Sequence, residues 1–395
     1  MKITLNLSDA KKAFNQALRT CDTKAKDRLE SDFIFTVSSD TVKVTSLNNF
    51  AEQTIVLRPE KFEGQEGETF SVSGQSIVDI LKGFPDHEDN VVCGYSPDKG
   101  LFGVATEDGS IQFAFNTSLP EGYAPMRFEP MSSPVTLNGY KLGAALSNTA
   151  YAASTDGSQA PLTAVRVTVA ADQVHAVATD TERIAGASLQ LDEPITGSYS
   201  FTIPKEVSES LGTLLGGTTD VELTLGRRHV RIEWHDTQFT TLQERGDSFA
   251  VFDDADKCLL GFEVAVGVID RHLLIKALKR ASTVAKDAAL TIELIPDRNV
   301  ENGGKVRIST NERDKGLSKE DIDLTHLDFE TADPGNIDVI VPCKQILRAV
   351  EAITDETADL SVRTMPNGKY ALLVSDPAGE NQHLVFPVTP KLNEE

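Results

Sequence analysis

The sequence predicts an α+β protein made of three copies of one unit, each with two helices and several antiparallel strands. Two observations predict this repeat. An alternating strand followed by a helix start occurs three times, at intervals of about 130 residues. A second helical pattern precedes each of these segments at nearly the same spacing. The three strand–helix segments are Phe70–Leu81, Phe201–Gly212 and Val339–Val350.

The first helix of each unit is predicted from apolar residues at helical spacing. Ser8 and Asp9 begin the first pattern, Asn138 the second and Asp270 the third, and these residue types are favoured at helix starts. The apolar positions are Ala10, Phe14, Ala17 and Leu18, then Leu142, Ala145, Leu146 and Tyr151, and finally Leu274, Ala277, Leu278 and Ala281.

The second helices and the hairpins complete each unit. Pro204 and Pro342 suit a first helical turn, where the missing proline N–H is not needed. Asp108-Gly109 and Asn367-Gly368 are typical of tight hairpin turns between alternating strands. The predicted meanders are Leu101–Phe115, Val221–Leu242 and Ala358–Ser375.

The repeat predicts three domains, at residues 1–128, 129–256 and 257–395. We expect linkers at Glu121–Pro134, which is rich in proline, and at the acidic stretch Phe252–Lys257. The alternative is a generic α+β multidomain chain whose internal similarities arose by chance.

The net charge of −22 argues against a surface coated uniformly for nucleic acid, so the position of the basic residues matters. Lys12 and Arg19 lie opposite the apolar face of the first helix. Lys276, Lys279 and Arg280 likewise lie opposite the apolar face of the first helix in the third unit. A cationic helix face on an anionic body suits a phosphate backbone bound without sequence preference. The alternative is a solvated helix face.

Motifs for chemistry are absent. The sequence has no phosphate loop, no dinucleotide-binding glycine motif, no nucleophile elbow and no zinc-protease motif. Asp253, Asp254 and Asp256 lack the glycine and distal glutamate of a calcium loop, which favours a solvated linker. Cys343 follows Pro342 at a predicted helix start, where a thiol pKa can be lowered. No apolar run is long enough for a membrane helix, and the N-terminus lacks a signal-peptide pattern, so we expect a cytoplasmic protein.

The triplicated unit, the basic helices and the segment Ala178–Leu189 (ATDTERIAGASL) together resemble the bacterial beta sliding clamp, the beta subunit of DNA polymerase III. The resemblance implies three clamp domains per chain and a head-to-tail homodimer. Its helices would line a central hole and its antiparallel sheets would lie outside. It implies an accessory factor without catalysis, cofactor or metal. The implied partners are double-stranded DNA bound without sequence preference, the polymerase catalytic subunit, the clamp loader and other proteins with a clamp-binding motif; no membrane is involved.

The resemblance also implies two sets of site residues. Lys24, Lys82 and Lys205 match basic positions that contact DNA. Helix position adds further candidate DNA contacts, namely Lys12, Arg19, Arg271, Lys276, Lys279, Arg280, Lys344 and Arg348. A hydrophobic groove for partner peptides is implied at Leu162, Thr179, Thr181, Glu182, Arg183, Ile184, Ala250, Leu384, Val385, Phe386, Pro387 and Val388. Ordinary core packing is the alternative for Ile184 and Val385, and a solubility role is the alternative for each exposed lysine.

The chain departs from the family pattern in the groove. Thr181 and Glu182 replace the usual glycine and histidine or aromatic residue, and Ala250 replaces a proline. The chain also continues past the usual end, as Thr389–Glu395.

A rival hypothesis is a repeat-built structural or scaffold protein that does not encircle DNA, and a further rival is an enzyme with an unrecognised site.

Overall fold

The computed structural model describes residues 1–85, 87–243, 249–285, 289–297, 299–312, 316–330, 336–365 and 368–388. The turn residue Asn367 and the C-terminal segment Thr389–Glu395 lie outside these ranges. The described chain divides into two compact units, which do not coincide with the three sequence repeats. The first unit holds residues 1–140 and 213–243, and the second holds residues 141–212 and 244–395. None of the described helices is long and apolar enough to cross a lipid bilayer.

The same order of elements occurs three times along the chain. The first repeat contains β1 (Lys2–Asn6), α1 (Leu7–Leu18), α2 (Arg28–Ser31), β2 (Asp32–Val37), β3 (Val42–Leu47), β4 (Ala51–Leu57), β5 (Lys61–Glu63), β6 (Glu68–Ser73), α3 (Gly74–Lys82), β7 (Asn90–Ser96), β8 (Leu101–Ala105) and β9 (Gln112–Asn116). The second contains β10 (Val135–Asn138), α4 (Gly139–Ala150), β11 (Ala164–Ala170), β12 (Gln173–Thr179), β13 (Arg183–Gln190), β14 (Ser198–Pro204), α5 (Lys205–Leu214), β15 (Asp220–Leu225), β16 (His229–Trp234) and β17 (Thr237–Leu242).

Helix α6 (Phe249–Leu259) separates the second repeat from the third. The third repeat contains β18 (Phe262–Asp270), α7 (Arg271–Ala285), β19 (Ala289–Pro296), β20 (Gly304–Glu312), β21 (Gly316–Leu324), β22 (His326–Phe329), β23 (Ile337–Pro342), α8 (Cys343–Ala352), β24 (Thr357–Thr364), β25 (Tyr370–Ser375) and β26 (Asn381–Val385). Apart from the short elements α2, β5 and β22, each repeat reads strand, helix, four strands, helix, three strands. The predicted α+β repeat is therefore confirmed.

The helices form where apolar periodicity predicts them. Helix α1 begins one residue before the predicted Ser8, because the Asn6 side chain accepts a hydrogen bond from the Asp9 N–H at 3.2 Å and caps it. Its buried face includes Phe14, which lies in the core of the first unit. Helices α4 and α5 pack closely at Gly212, where an added Cβ would collide with Ser147.

Each unit holds one sheet shared between consecutive repeats. In the first unit an eight-stranded sheet has the order β10-β15-β16-β17-β4-β3-β2-β6, and the repeats join where β17 pairs with β4. In the second unit a nine-stranded sheet has the order β14-β11-β12-β13-β26-β25-β24-β18-β22, and the repeats join where β13 pairs with β26. In both cases the last strand of one repeat pairs antiparallel with the third strand after the first helix of the preceding repeat.

Two smaller sheets remain. At one edge, each has a strand that corresponds to one of the strands through which the repeats pair in the larger sheets. The first unit has the order β5-β1-β7-β8-β9, so β9, the last strand of the first repeat, is an edge. The second unit has the order β21-β20-β19-β23, so β21, which corresponds to β4 and β13, is an edge. Among the described strands, these are the two joining strands that lack a partner from another repeat.

The prediction for the acidic stretch was wrong. Phe252–Lys257 lies inside α6 and is not a linker, and the predicted domain boundary between residues 256 and 257 falls within the same helix. The other predicted linker, Glu121–Pro134, contains no helix and no extended strand, with a single bridge from Pro130 to Gly226. The aspartates of Phe252–Lys257 suggested a solvated linker. Phe252, Ala255 and Leu259 nevertheless have apolar helical spacing, and all three are buried.

Candidate functional site

The basic residues of α1 and α7 lie on the faces turned away from the cores. Lys12 and Arg19 are exposed, whereas Phe14 and Ala17 of the same helix are buried. On α7, Lys276, Lys279 and Arg280 are exposed, and the apolar positions beneath them, Leu274, Ala277, Leu278 and Ala281, are buried. The structure therefore arranges each helix as the amphipathic pattern predicts.

Some of these cations already have carboxylate neighbours. Lys279 lies 3.0 Å from Glu351, and Arg348 of α8 lies 3.8 Å from the same carboxylate. Arg280 pairs with Glu320. Exposed ion pairs of this kind contribute little free energy, so a phosphate group can replace the carboxylate at small cost.

The remaining predicted DNA contacts fall into two groups. Lys24, in the turn after α1, and Lys344, in the first turn of α8, are exposed. Lys82 ends α3, is exposed, and pairs with Asp79 at 3.2 Å. These three side chains are accessible to a polyanion.

Lys205 and Arg271, by contrast, make hydrogen bonds within the chain. The Lys205 ammonium donates to the Ala153 carbonyl at 2.7 Å, and burial lowers the pKa of this lysine. Arg271 donates to the Val350 carbonyl at 3.2 Å and to the Glu351 carbonyl at 3.3 Å, which caps the end of α8. Both side chains therefore have a local structural role, which the sequence pattern did not reveal.

The ATDTERIA motif forms the turn between β12 and β13. Thr179 Oγ1 donates to the Arg183 carbonyl at 2.8 Å and accepts from the Thr181 N–H at 3.1 Å. Asp180 Oδ1 accepts from the backbone N–H groups of Glu182 and Arg183 at 3.0 Å. Thr181 has φ +73°, a conformation in which glycine is favoured. Thr181 adopts this conformation at the position where the resemblance implies a glycine.

Strand β26 brings the C-terminal candidates beside this motif. Ile184 is directly opposite Leu384 in the β13–β26 ladder. The Phe386 N–H donates to the Glu182 carbonyl at 3.2 Å, and the Val388 N–H donates to the Ile340 carbonyl at 2.9 Å. The structure therefore brings the two halves of the predicted groove together.

Several predicted groove residues are not accessible. Ile184 and Leu384 are buried in one cluster with Phe252, Ala255 and Leu259 of α6. Val385 lies in a different cluster, the core of the third repeat, because successive residues of a strand face opposite sides of the sheet. The assignment of Val385 to the groove was therefore wrong, and its alternative, core packing, is correct. Leu162 is also buried and lies outside the α6 cluster.

The accessible part of the groove is smaller than predicted and lies near the amino end of α6. Phe386 is half-buried and packs against the α6 cluster, as do Phe249 and Val251. Val388 is 37% exposed, and Ala250 is exposed at the amino end of α6. We term the apolar surface formed by Phe249, Val251 and Phe386 the open groove.

A charged cluster that the sequence analysis missed holds α6 on the sheet. The guanidinium of Arg166, a residue only 7% exposed, pairs with both Asp253 and Asp256. His175 lies between Asp256, 2.9 Å from its Nε2, and Ser188, 2.7 Å from its Nδ1. Two of the three aspartates predicted to be solvated are thus bound to a buried cation. We call Arg166, His175, Asp253 and Asp256 the α6 polar cluster.

A second polar cluster lies behind the groove. Gln345 donates to the Glu182 carboxylate at 2.8 Å. The Tyr151 ring stacks on the Arg183 guanidinium at 5.4 Å, and its hydroxyl lies 3.0 Å from His383 Nδ1. His383 is fully buried, and burial lowers its pKa to about 3.

The buried neutral His383 predicts acid lability. The folded state keeps this imidazole neutral down to about pH 3, whereas the unfolded chain takes up the proton near pH 6.5. Unfolded chains then bind more protons, so stability falls as the pH decreases below 6.5, by about 2 kcal/mol between pH 7 and pH 5. Urea unfolding of the wild type and of His383→Gln at both pH values measures this, and the variant should lose less stability on acidification. The exposed His326→Gln should behave as wild type. An equal acid effect in wild type and His383→Gln would contradict the assignment.

The four cysteines are buried or half-buried, and the described acidic residues are not grouped for metal binding. Burial raises the pKa of Cys343, so the lowering that a helix start can cause does not occur there. Burial also raises the pKa of Cys93 to about 12. No group of three or more His, Cys, Asp or Glu in the described part of the chain is arranged to hold a metal ion.

Comparison with known proteins identifies the fold. Residues 136–243 match the family model described as DNA polymerase III beta subunit, central domain. No curated protein matches the chain. The solved structures that match include the DNA polymerase III subunit beta from Pseudomonas aeruginosa, at 18% identity and a TM-score of 0.80, with 98% of this chain and 100% of that chain covered.

Two further structures agree. The polymerase sliding clamp from Bacillus subtilis has 17% identity and a TM-score of 0.78, with 98% of this chain and 99% of that chain covered. The beta subunit from the DNA polymerase of Streptococcus pyogenes has 17% identity and a TM-score of 0.81, with 98% and 100% covered. The family model for the second repeat and the fold of the whole chain both agree with the resemblance found in the sequence.

Proposed function

We propose that this chain, a divergent relative of the DNA polymerase III beta subunits, acts as a DNA sliding clamp. Two chains would form a closed ring around duplex DNA and tether a polymerase to it, without catalysis of their own. The single observation that carries this proposal is the sheet topology. Two sheets join the three repeats by the same strand pairing, and β9 and β21 are left as the matching strands for a third junction.

The third junction would lie between two copies of the chain. Pairing of β9 with β21 of a second copy would merge the five-stranded and four-stranded sheets into one, comparable with the eight- and nine-stranded sheets within the chain. Such a contact is head-to-tail, and head-to-tail contacts either close into rings or continue as filaments. With three repeats per chain, two copies make the six-domain ring that the family resemblance implies.

The exposure of the two edge strands supports this pairing. Four of the five β9 residues are exposed, whereas every residue of the corresponding strand β17, which pairs with β4, is buried or half-buried. Phe113 of β9 is opposite the buried Val104, on the core side of the sheet, yet it remains 42% exposed. Leu317 on β21 is 77% exposed. Unprotected edges with apolar side chains are uncommon on monomers, because such edges promote association.

The basic helix faces support DNA as the occupant of the ring. Lys12, Arg19 and Lys24 lie on or just after α1, and Lys276 lies on α7; all four are exposed. A body with a net charge of −22 would repel DNA elsewhere, so duplex contact would concentrate on these faces. Ring closure, and not strong phosphate binding, would then hold the clamp on DNA while allowing it to slide.

The open groove supports recruitment of partner peptides. An apolar surface of aromatic and aliphatic residues, here Phe249, Val251 and Phe386, is suited to a leucine or phenylalanine anchor. The partners proposed for it are the polymerase catalytic subunit, the clamp loader and other proteins with a clamp-binding motif, in the cytoplasm. The three-domain division at residues 1–128, 129–256 and 257–395 remains part of this proposal, with helix α6 as the connection that contains the second boundary.

Particle images and mass measurements test the ring directly. Negative-stain electron microscopy of the purified chain should show rings with a central hole. Sedimentation equilibrium should give about twice the chain mass of 42.8 kDa. A compact single chain without an aperture at micromolar concentration would contradict the proposal.

A further inference from the structure

The chain makes the same backbone contact after the last strand of the first repeat and after that of the third. The Ser118 N–H donates to the Ser71 carbonyl of β6 at 3.0 Å, and the Val388 N–H donates to the Ile340 carbonyl of β23 at 2.9 Å. Ser71 and Ile340 each lie two residues before the end of a strand that leads directly into a helix, α3 or α8. Val388 therefore holds, in the third repeat, the position of Ser118 in the first.

The strand registers extend this correspondence across both sheets, because residues opposite one another in successive strands form a row. In the first repeat the row on β6, β2, β3 and β4 is Ser71, Ile34, Thr45 and Thr54. In the third repeat the row on β23, β19, β20 and β21 is Ile340, Thr291, Ser309 and Lys319. Lys319 thus corresponds to Thr54. Leu317 corresponds to Glu52, because each lies two residues earlier on the same strand.

In the first repeat the segment beyond Ser118 covers the face that carries this row. The Tyr123 hydroxyl donates to the Glu52 carboxylate at 3.2 Å, and the Met126 N–H donates to the same carboxylate at 3.1 Å. Helix α2 packs on β2 and β3 beside this segment, and Arg28 of α2 donates to the Ser118 hydroxyl at 2.9 Å. The first three residues of the row are at most 8% exposed. The face is therefore closed by the chain itself.

The corresponding face of the third repeat is open in the described part of the chain. The first three residues of its row are half-buried, Lys319 is exposed and Leu317 is 77% exposed. Asp321, the next residue on this side of β21, is already paired with Lys305 and Arg307, whereas Lys319 has no ion pair within the described ranges. A leucine beside an unpaired cation suits a segment that carries an apolar residue followed by carboxylates.

We propose that the C-terminal segment Thr389–Glu395 docks on this face and covers Leu317 and Lys319. We call this segment the strap. Leu392 would pack on Leu317, and the carboxylates of Glu394 and Glu395 would lie beside Lys319. The strap would thus close the face of the third repeat as the segment beyond Ser118 closes that of the first.

The length of the strap fits this path. Strands β23 and β21 are separated by β19 and β20, so their axes lie about 14 Å apart. Five extended residues span about 17 Å, which is enough for Asn393 to reach β21 from Val388. Asn393 lies as far beyond Val388 as Tyr123 lies beyond Ser118, and Tyr123 reaches β4, the counterpart of β21.

The strap would brace the strand that makes the ring junction. Strand β21 is the edge proposed to pair with β9 of a second copy, so the far end of the strap would lie beside that junction. Docking needs one chain only, and this consequence for the ring alone rests on the proposed function.

Thiol labelling of Ser309→Cys measures the docking, because Ser309 lies on the path of the strap and takes part in neither proposed contact. N-ethylmaleimide is added to this variant with and without residues 389–395, and the peptide that carries residue 309 is quantified by mass spectrometry over time. Labelling should be at least about tenfold slower with the strap present, because a strap docked for about nine-tenths of the time leaves about one-tenth of the sites open. Both chains are also made with Phe113→Asp, so that cover by a second copy does not contribute.

Matched variants assign the contacts. Leu392→Ser and Leu317→Ser should each raise the labelling rate of the full-length chain to that of the truncated chain, and they replace the truncation if the shortened chain does not fold. Thr389→Ala, at the opposite end of the strap, should keep the protection. Val300→Cys, 55% exposed in the turn between β19 and β20, should label equally with and without the strap.

Two results would overturn the inference: equal labelling of Ser309→Cys with and without the strap, or protection that survives both leucine substitutions. The readout requires neither DNA nor a second chain. Rings without protection would refute the strap and leave the proposed function intact. Protection in a chain that never forms rings would support the strap and refute only the proposed function.

Discussion

Replacing Phe113 by aspartate is expected to separate the proposed two-chain ring into single chains. Phe113 lies on the edge strand β9, opposite buried Val104, with its ring on the core side of the sheet and 42% exposed. Pairing with β21 of a second copy would cover it. A carboxylate there would be buried without a partner, which proteins avoid strongly.

The expected effect on association is large. Truncation of a central aromatic residue in an interface typically costs about 2–4 kcal/mol, or roughly 30- to 1,000-fold in Kd. Sedimentation equilibrium of Phe113→Asp should therefore give one chain mass where the wild type gives two. Met131→Asp is the matched control, because Met131 is 68% exposed and lies on neither edge strand. Association that is unchanged in Phe113→Asp would place the interface elsewhere.

Reversing the charge of three exposed lysines is expected to weaken DNA binding strongly. Lys12 of α1, Lys24 in the turn after it and Lys276 of α7 are exposed, and no ion pair involves them in the described part of the chain. Each phosphate contact that is lost should reduce the slope of log affinity against log salt concentration by about 0.9. The triple change to glutamate should therefore lower affinity for a short linear duplex by about one to two orders of magnitude at low salt, with a shallower salt dependence.

A second triple variant controls for net charge. Lys43, Lys61 and Lys99 are exposed on strands or on a short turn of the first repeat, and none of them lies on α1 or α7. Their change to glutamate alters net charge by the same amount. Fluorescence anisotropy over a salt titration compares the two. If both triple variants lose affinity equally, the long-range field of the protein, and not the helix faces, governs DNA contact.

The sequence alone predicted the repeat and its helices, because these depend on local periodicity. Buried Phe14, Leu142 and Leu274 mark corresponding helices in the three repeats, and a spacing of 3.6 residues is visible without any long-range contact. The exposure of Lys12 and Lys276 followed from the same pattern. The family motif at residues 178–185 was equally local, since it forms one turn.

The candidate groove was predicted only in part, because its state depends on a helix from elsewhere in the chain. Nothing near Ile184 or Leu384 in sequence indicates that Phe252 will cover them. The acidic run around Asp253 resembled a solvated linker, since its partner Arg166 lies 87 positions away. The positions of β9 and β21 at sheet edges could likewise not be predicted from the sequence, because strand order is a property of the assembled sheets.

Retention on circular DNA tests the central claim most directly. The chain is loaded with its clamp loader onto nicked circular DNA and freed of unbound protein by gel filtration, and the circle is then either kept or linearised by a single cut. A closed ring held only by topology should stay on the intact circle and leave the linear form rapidly from its ends. Equal retention on both forms would contradict the account, and would favour a protein that binds DNA by surface affinity or serves as a scaffold.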